Sequence, residues 1–395
     1  MTQTNQTKPL AGRIPMRPLL SSDVFSGPGM PWVPGAAHVK FTVDARSALA
    51  LALLHAGIGA GDSVLVPAYH CPAMVAPLAW LGVQAQFYPI RADTSLDLAA
   101  LFALLQPATR AVLAVHFFGF LQDFRPLRAW CDARGLLLIE DCAHALFGQL
   151  HGQAVGLQGH YAIASIMKFL PVDEGGCLVS SSRALDAIAL HSGGWFFQLK
   201  SLLNTLEMAC EHGRLPGLAL VLAQKKRWWQ RFKVARGRTA AAADAVAADA
   251  APDDDAIFDP ARLRLRMSWS SQAILRGMAM ARACARRRAN YLALLDGLGG
   301  LAGASALFGA LPDGVYPHVF PLLLNDPDSV VLALKLRGLP FLRFGHFRWR
   351  GAEGALCPTA EALSRRLIQL PCHQSLSGQE LACLIASVRA VIGQP

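Results

Sequence analysis

A single lysine, Lys168, stands in the apolar run "YAIASIMKFLPVDEGGCLVS" at Tyr161–Ser180, three residues after Ser165 and shortly before Glu174 and a pair of glycines. A long cation in such a run is costly unless it is paired, neutralised or used covalently. With its amine depressed by burial or by a cationic neighbour, a lysine can form a Schiff base. Upstream, "LLLIEDCAHA" closes an apolar run with Glu140-Asp141 and continues to His144. An acid at that point either caps the next helix or keeps a proton on a heterocyclic nitrogen, so that the ring can draw electrons from a carbanion. Earlier still, "DARSALALAL" places Ser47 at a helix start, where N–H groups and the helix dipole favour a phosphate.

These residues need elements that bring them together. From Ala45, helix-like and strand-like pieces alternate: the helix "ARSALALALLHAGIG" ends at Gly57 or Gly59, and the strand "SVLVPA" follows. The helix "APLAWLG" precedes the strand "QAQFYPI", "LDLAALFALLQ" precedes "RAVLAVHFF", and "LRAWCDARG" precedes "LLLIEDCA". Such alternation predicts an α/β fold with a mostly parallel sheet covered on both faces. Ligands then bind at the carboxyl ends of the strands. Tyr69, His70, His116, Asp141, His144, Ser165 and Lys168 all fall just after strand-like runs.

The reading divides the chain into an irregular arm over residues 1–40, a large domain over 41–255 and a smaller α+β domain over 256–395. Within the large domain an excursion spans about 196–258, with an apolar helix, the basic-aromatic "KKRWWQRFKVARGR" and the low-complexity "TAAAADAVAADAAPDDDA". The smaller domain is expected to hold an Arg-rich helix over Met278–Leu295, the strand "HVFPLLL" and a final helix "GQELACLIASVRAVI".

Composition narrows the class. Hydrophobic residues make up 53% and charged residues 16% of 395 residues, which marks a core-rich globular chain. No apolar run reaches the ~18–20 residues that span a bilayer, and the polar N-terminus reads as no signal peptide. A cytoplasmic location follows as the default. The nine cysteines form no C-x-x-C pair, which argues against a metal site or a disulfide framework. The net charge of +10 sits in two clusters without a nucleic-acid motif, so it reads as solvated helix plus an anion pocket. The stretch 215–238, with paired tryptophans among lysines, also has the character of an interfacial helix, which would allow peripheral contact with the inner membrane face.

A helix start, an aspartate after one strand and a lysine after a later strand, in that order, suggest a fold-type-I pyridoxal-phosphate (PLP) enzyme. The chain resembles the DegT/DnrJ-type aminotransferases from about Val43 to Ile392. The resemblance is carried by "ARSALALALLHAGIGAGDSVLVPAYHCPA", "VLAVHFFGFLQD", "LLIEDCAHALFGQLHGQAVGLQG", "SIMKFLPVDEGGCLVS", "YPHVFPLLL" and "LIQLPCHQSLSGQEL". It implies that Lys168 carries PLP as a Schiff base and shuttles a proton. It places Asp141 on the pyridine nitrogen, His144 near the ring, and Ser165, Ser47 and the Ala48 N–H on the phosphate. Glu174 would steady the lysine loop and approach substrate, and His116 is either a substrate neighbour or a core histidine.

The chain departs from the family in several places. Arg46-Ser47 stands where many members have Gly-Thr, and Cys71 falls at the position of the ring-stacking aromatic, leaving Tyr69 or His70 to replace it. "RLRLRMSWSSQA" keeps Arg266-Met267-Ser268 without the preceding asparagine that a partner subunit usually lends. The resemblance implies a homodimer that takes an amino group, with glutamate the expected donor, to a keto-sugar, most often nucleotide-linked. Arg343 and Arg348 are candidates for its diphosphate or for a carboxylate. A lipid- or carrier-linked keto substrate, or a weakly catalytic membrane-peripheral role, are the alternatives.

Overall fold

The computed structural model describes residues 14–26, 36–218, 257–349 and 357–393. In chain order the strands are β1 (His38–Thr42), β2 (Ser63–Pro67), β3 (Gln84–Tyr88), β4 (Thr109–Val115), β5 (Leu137–Asp141) and the short pair β6 (Gln149–Leu150) and β7 (Gln153–Ala154). Then come β8 (Tyr161–Ser165), β9 (Gly176–Ser180), β10 (Ala304–Ala306), β11 (Val319–Leu324) and β12 (Leu367–Pro371). The helices that alternate with the early strands are α1 (Ala45–His55), α2 (Pro72–Trp80), α3 (Leu98–Phe102) and α4 (Arg125–Asp132). Later helices are α5 (Gly194–Glu211), α6 (Trp269–Gly277), α7 (Met280–Gly297), α8 (Pro327–Leu336), α9 (Pro358–Arg366) and α10 (Gly378–Ile392).

The main sheet has seven strands in the order β1-β9-β8-β5-β4-β2-β3. Pairs from β3 through β8 are parallel, whereas β9 runs antiparallel to both β8 and β1. Strands β2, β8 and β9 are buried at every position, which is why they read as unbroken apolar runs and not as alternation. The edge strands β1 and β3 carry Lys40 and the pair Gln84 and Gln86, polar side chains that discourage further pairing. A second sheet, β10-β11-β12, is antiparallel and packs with α7, α9 and α10 around its own part of the core.

Several boundaries differ from expectation. α2 starts at Pro72, four residues before "APLAWLG", because proline is well placed in a first helical turn. The Arg-rich helix is shifted to Met280–Gly297, since Met278 turns to extended backbone (ψ 135) and separates it from α6. Part of the expected excursion is the regular helix α5. The low-complexity stretch and the segment 219–238, most of the interfacial candidate, lie outside the described residues. Among the described residues no helix is long and apolar enough to cross a membrane.

The paired glycines after Glu174 have a packing reason. Gly176 lies opposite Thr42 on β1 and Ser165 on β8, while the Gly175 N–H donates to the Val43 carbonyl at 2.8 Å. A Cβ on Gly176 would fall 2.5 Å from the Ala45 nitrogen and closer still to the Asp44 carbonyl. Only a bare backbone lets the start of α1 settle against the strand that follows the lysine loop. Gly176→Ala is therefore expected to destabilise the chain by about 3 kcal/mol, the upper range for forced overpacking, as read from denaturant melts. A melt superimposable on wild type would contradict this account of the contact.

Candidate active site

Asp141 is the last residue of β5 and is 3% exposed. One carboxylate oxygen accepts the Ala143 N–H at 2.8 Å. Burial raises its pKa, opposed by that N–H and by the charges of Lys168 and His116. Lys168 closes the short 3₁₀ turn Ile166–Lys168 that follows β8. Burial lowers its amine pKa, Cys71 and Asp141 pull it back up, and Arg17 and Arg46 lower it further. Among the described residues the two form no ion pair, although each group's charge acts on the other, Asp141 from the end of β5 and Lys168 from the turn after the neighbouring β8. A half-buried amine and a buried acid on neighbouring elements of one sheet are the groups that a pyridine aldehyde needs.

His144 lies beside them, 4% exposed, its ring 20° from parallel with Phe118 at 5.8 Å. The Phe118 N–H donates to His144 Nδ1 at 3.3 Å, so the proton of the neutral ring is on Nε2. Burial, with Lys168 adding, pushes its pKa well below the ordinary histidine value. Phe118 holds a left-handed φ of 59° to make this contact, a strained state that persists only where neighbours enforce it. The enforcement is visible: its carbonyl accepts the His318 N–H at 2.8 Å, and the His318 ring stands 5.0 Å from that of His144.

At the presumed phosphate end, Ser165 is buried opposite Gly176 and hence beside the start of α1. Ser47 and Ala48 are there too, but Asp44 takes both amides: the Ser47 N–H donates to its side chain at 2.8 Å, and the Ala48 N–H to its carbonyl. Arg46 neutralises Asp44 at 3.1 Å and also donates to the Ile257 carbonyl. The first-turn groups of Ala45 and Arg46, with the Ser47 and Ser165 hydroxyls, are what the helix start offers to an anion.

The other candidates have partners of their own. His70 stacks on Phe87 at 4.6 Å, and its Nε2 accepts the Trp349 N–H at 3.4 Å. Burial brings its pKa down to about 4. Tyr69 is fully buried against Phe117 and Phe344, with a hydroxyl that has no hydrogen-bond partner among the described residues. Cys71, between them and the amine in charge coupling, is the neighbour that Lys168 feels most. Glu174 accepts the Ser268 N–H at 3.1 Å and the Ser201 hydroxyl at 3.2 Å, tying the lysine loop to α5 and α6. Arg343 and Arg348 line a separate pocket of about 730 Å³ with His346, Arg365 and Arg366.

His116 is fully buried, stacked on Phe124 at 4.5 Å, and both its ring nitrogens are engaged. Nδ1 accepts the Gln122 N–H at 3.0 Å, and Nε2 meets Glu140 at 2.9 Å. Glu140, absent from the sequence-based site, also accepts the N–H groups of Gly156 (2.7 Å), Gln158 (2.9 Å) and Gly159 (3.1 Å). His116, Glu140 and Cys142 bring ligand-type atoms within 4.8 Å of one another, but these hydrogen bonds already occupy the histidine and the carboxylate. The acidic doublet at the strand end was the available signal for Glu140; nothing local marked His318 or Phe344.

A model of the DegT/DnrJ/EryC1/StrS aminotransferase family matches residues 33–230. The L-glutamine:2-deoxy-scyllo-inosose aminotransferase of Streptoalloteichus tenebrarius is 36% identical over 158 residues, a match that spans 38% of this chain and only 36% of that relative. The UDP-N-acetyl-3-dehydro-alpha-D-glucosamine 3-aminotransferase of Acidithiobacillus ferrooxidans is 25% identical over 91% of this chain and 85% of its own. Among solved structures, Helicobacter pylori PseC, an aminotransferase involved in the biosynthesis of pseudoaminic acid, superimposes with a TM-score of 0.64 at 17% identity, covering 91% of this chain and 88% of that one.

Burial alone would raise the Glu140 pKa, yet His116 and the Gly156 and Gly159 N–H groups outweigh it and leave the pKa below 4.5. A depressed folded-state pKa contributes stability that is full above the unfolded value and is lost as pH falls through the folded one. Glu140→Gln should cost about 2–3 kcal/mol at neutral pH. The difference from wild type should shrink in melts taken progressively below pH 4.5. A gap that stays constant with pH would show that the charge of Glu140 is not what the loop binds.

Proposed function

Since the chain belongs to the DegT/DnrJ/EryC1/StrS aminotransferase family, whose members use PLP, we propose that it transfers an amino group to the keto carbon of a nucleotide-linked sugar. The observation that carries this reading is the half-buried Lys168, in the turn that follows β8, with the buried Asp141 carboxylate at the end of the neighbouring strand β5. PLP, when bound, supplies an electron-withdrawing ring that acidifies the carbon bearing the amine. Lys168 would hold the cofactor covalently and, once released, move the proton at the substrate carbon. Asp141 would keep the ring nitrogen protonated, and the neutral His144 would lie along the ring. Ser165, Ser47 and the first turn of α1, with Arg46 replacing part of the lost backbone donation, would take the phosphate.

A separate pocket, where Arg343, Arg348, Arg365 and Arg366 outnumber Asp328 and Glu361, supports an acceptor with a diphosphate. Arg343 and Arg348 reach it from the same loop that lays Phe344 on Tyr69 and His144. The UDP-sugar named for the Acidithiobacillus relative points the same way. We read the donor as glutamate and the working unit as a homodimer, in which a partner completes the site. His116 belongs here to the support of the strand end, and Glu174 to the support of the lysine loop.

Purified chain reconstituted with PLP should show a visible absorption band that glutamate bleaches. Lys168→Ala should lose the band and amination together; turnover by that variant would remove the catalytic assignment. In a panel of keto acceptors, nucleotide-linked sugars should be aminated and their free sugars poorly so. Arg343→Ala and Arg348→Ala should each raise KM for the nucleotide sugar about tenfold, as for a lost charge-assisted hydrogen bond, with the KM for glutamate unchanged. Equal KM values for free and nucleotide-linked sugar would exclude the diphosphate reading.

A further inference from the structure

Arg287, near the middle of α7, is fully buried. Among the described residues it meets no carboxylate, and its Nε has no hydrogen-bond partner. Its guanidinium instead spans four main-chain carbonyls. Nη1 donates to Pro317 at 3.0 Å and His318 at 3.1 Å; Nη2 donates to Lys168 at 3.3 Å and Phe169 at 3.2 Å. The same group lies 4.6 Å over the Phe169 ring. Burial brings its pKa down to about 10, which leaves it charged at neutral pH.

An unpaired charge is among the most costly groups a core can hold. Methionine or leucine would fill much of the same space against Phe169 without that cost. The distinguishing property of arginine here is its planar fork, which can serve several acceptors at once. The acceptors are informative. The 3₁₀ turn Ile166–Lys168 ends at two carbonyls that no helical N–H can reach, and Arg287 serves both. Gln374 adds a second donor to the Phe169 carbonyl at 2.7 Å. The other pair of carbonyls leads into β11, at His318, whose ring packs on both His144 and Phe169. One side chain therefore ties the main chain of the lysine to the main chain of the histidine that backs the site.

We propose that Arg287 is a positioning residue for the reaction, fixing Lys168 and His318 together so that the amine keeps its aim at the space in front of Asp141. The proposal rests on the PLP reading above and makes no contact with cofactor or substrate itself. Its test uses the full chain, mixed as apoprotein with PLP, and follows the rate at which the visible band appears. Arg287→Met, which keeps the packing and removes the fork, should slow that rate about tenfold, as for two lost hydrogen bonds. The kcat should fall in parallel while KM for glutamate is unchanged. Arg287→Lys keeps the cation but cannot span four carbonyls, and should recover only part of the rate. Gln374→Leu removes one donor from Phe169 without disturbing a buried charge and should slow the rate about threefold; it decides the matter if the Arg287 variants do not fold. Rates within twofold of wild type in the variants that fold, or an effect confined to melting temperature, overturn the proposal. If Lys168→Ala itself retains the band, the PLP reading fails instead, and the two failures are told apart.

Discussion

Two neighbouring acids at the end of β5 set the geometry on which everything else rests. Successive side chains of a strand point to opposite faces. Glu140 therefore points to one face, where His116 and three backbone N–H groups hold it, while Asp141 points to the other, within range of the Lys168 charge. The first carboxylate fixes the loop of residues 156–159 against the strand end, and the second is left available for chemistry. A slip of one residue in the register of β5 would exchange the two roles and place the anchoring acid in the active site. The fully paired β4-β5 ladder, from Ala111–Leu137 to Val115–Asp141, opposes such a slip.

Burial then tunes the groups that must react. It pushes Asp141 up and Lys168, His144 and His318 down, so each is driven toward its neutral form. A neutral amine is the nucleophile that a carbonyl group needs, and a histidine that stays uncharged does not repel the cation beside it. The cluster gains this balance from packing: rings of Phe118, Phe344 and His318 enclose His144 and keep water from screening the charges.

The sequence displayed what local periodicity can encode. Alternating helix and strand runs revealed the parallel sheet, and the strand ends located Asp141 and Lys168, because both signals depend on residues close along the chain. What it did not display depends on distant partners. Arg287 is 119 residues from the carbonyl it holds on Lys168, and Phe344 comes from the far side of the smaller sheet. Nor does a helix start reveal that its own preceding acid, Asp44, will consume the amides expected to bind phosphate. His116 shows the same limit: its position after a strand left a substrate neighbour and a core histidine equally open, and only the fold reveals Glu140 and Gln122 on its two nitrogens.

Under the proposed function, these placements would separate what the reaction needs from what selects its substrate. Asp141 and Ser165 end adjacent strands of one sheet, where backbone pairing leaves little freedom, and Lys168 closes the short turn that follows Ser165. Phe344, Arg343 and Arg348 sit on a loop that returns from the second sheet, joined to the first by a hydrogen bond from Trp349 to His70 and by ring contacts. Loops accept sequence change more readily than strands do. A chain built this way can hold the electron-withdrawing site constant while the arginine loop is reshaped for another acceptor. The rigid clasp at Arg287 makes that separation workable: because it fixes Lys168 through α7 and not through the substrate loop, changes in the loop need not disturb the aim of the amine.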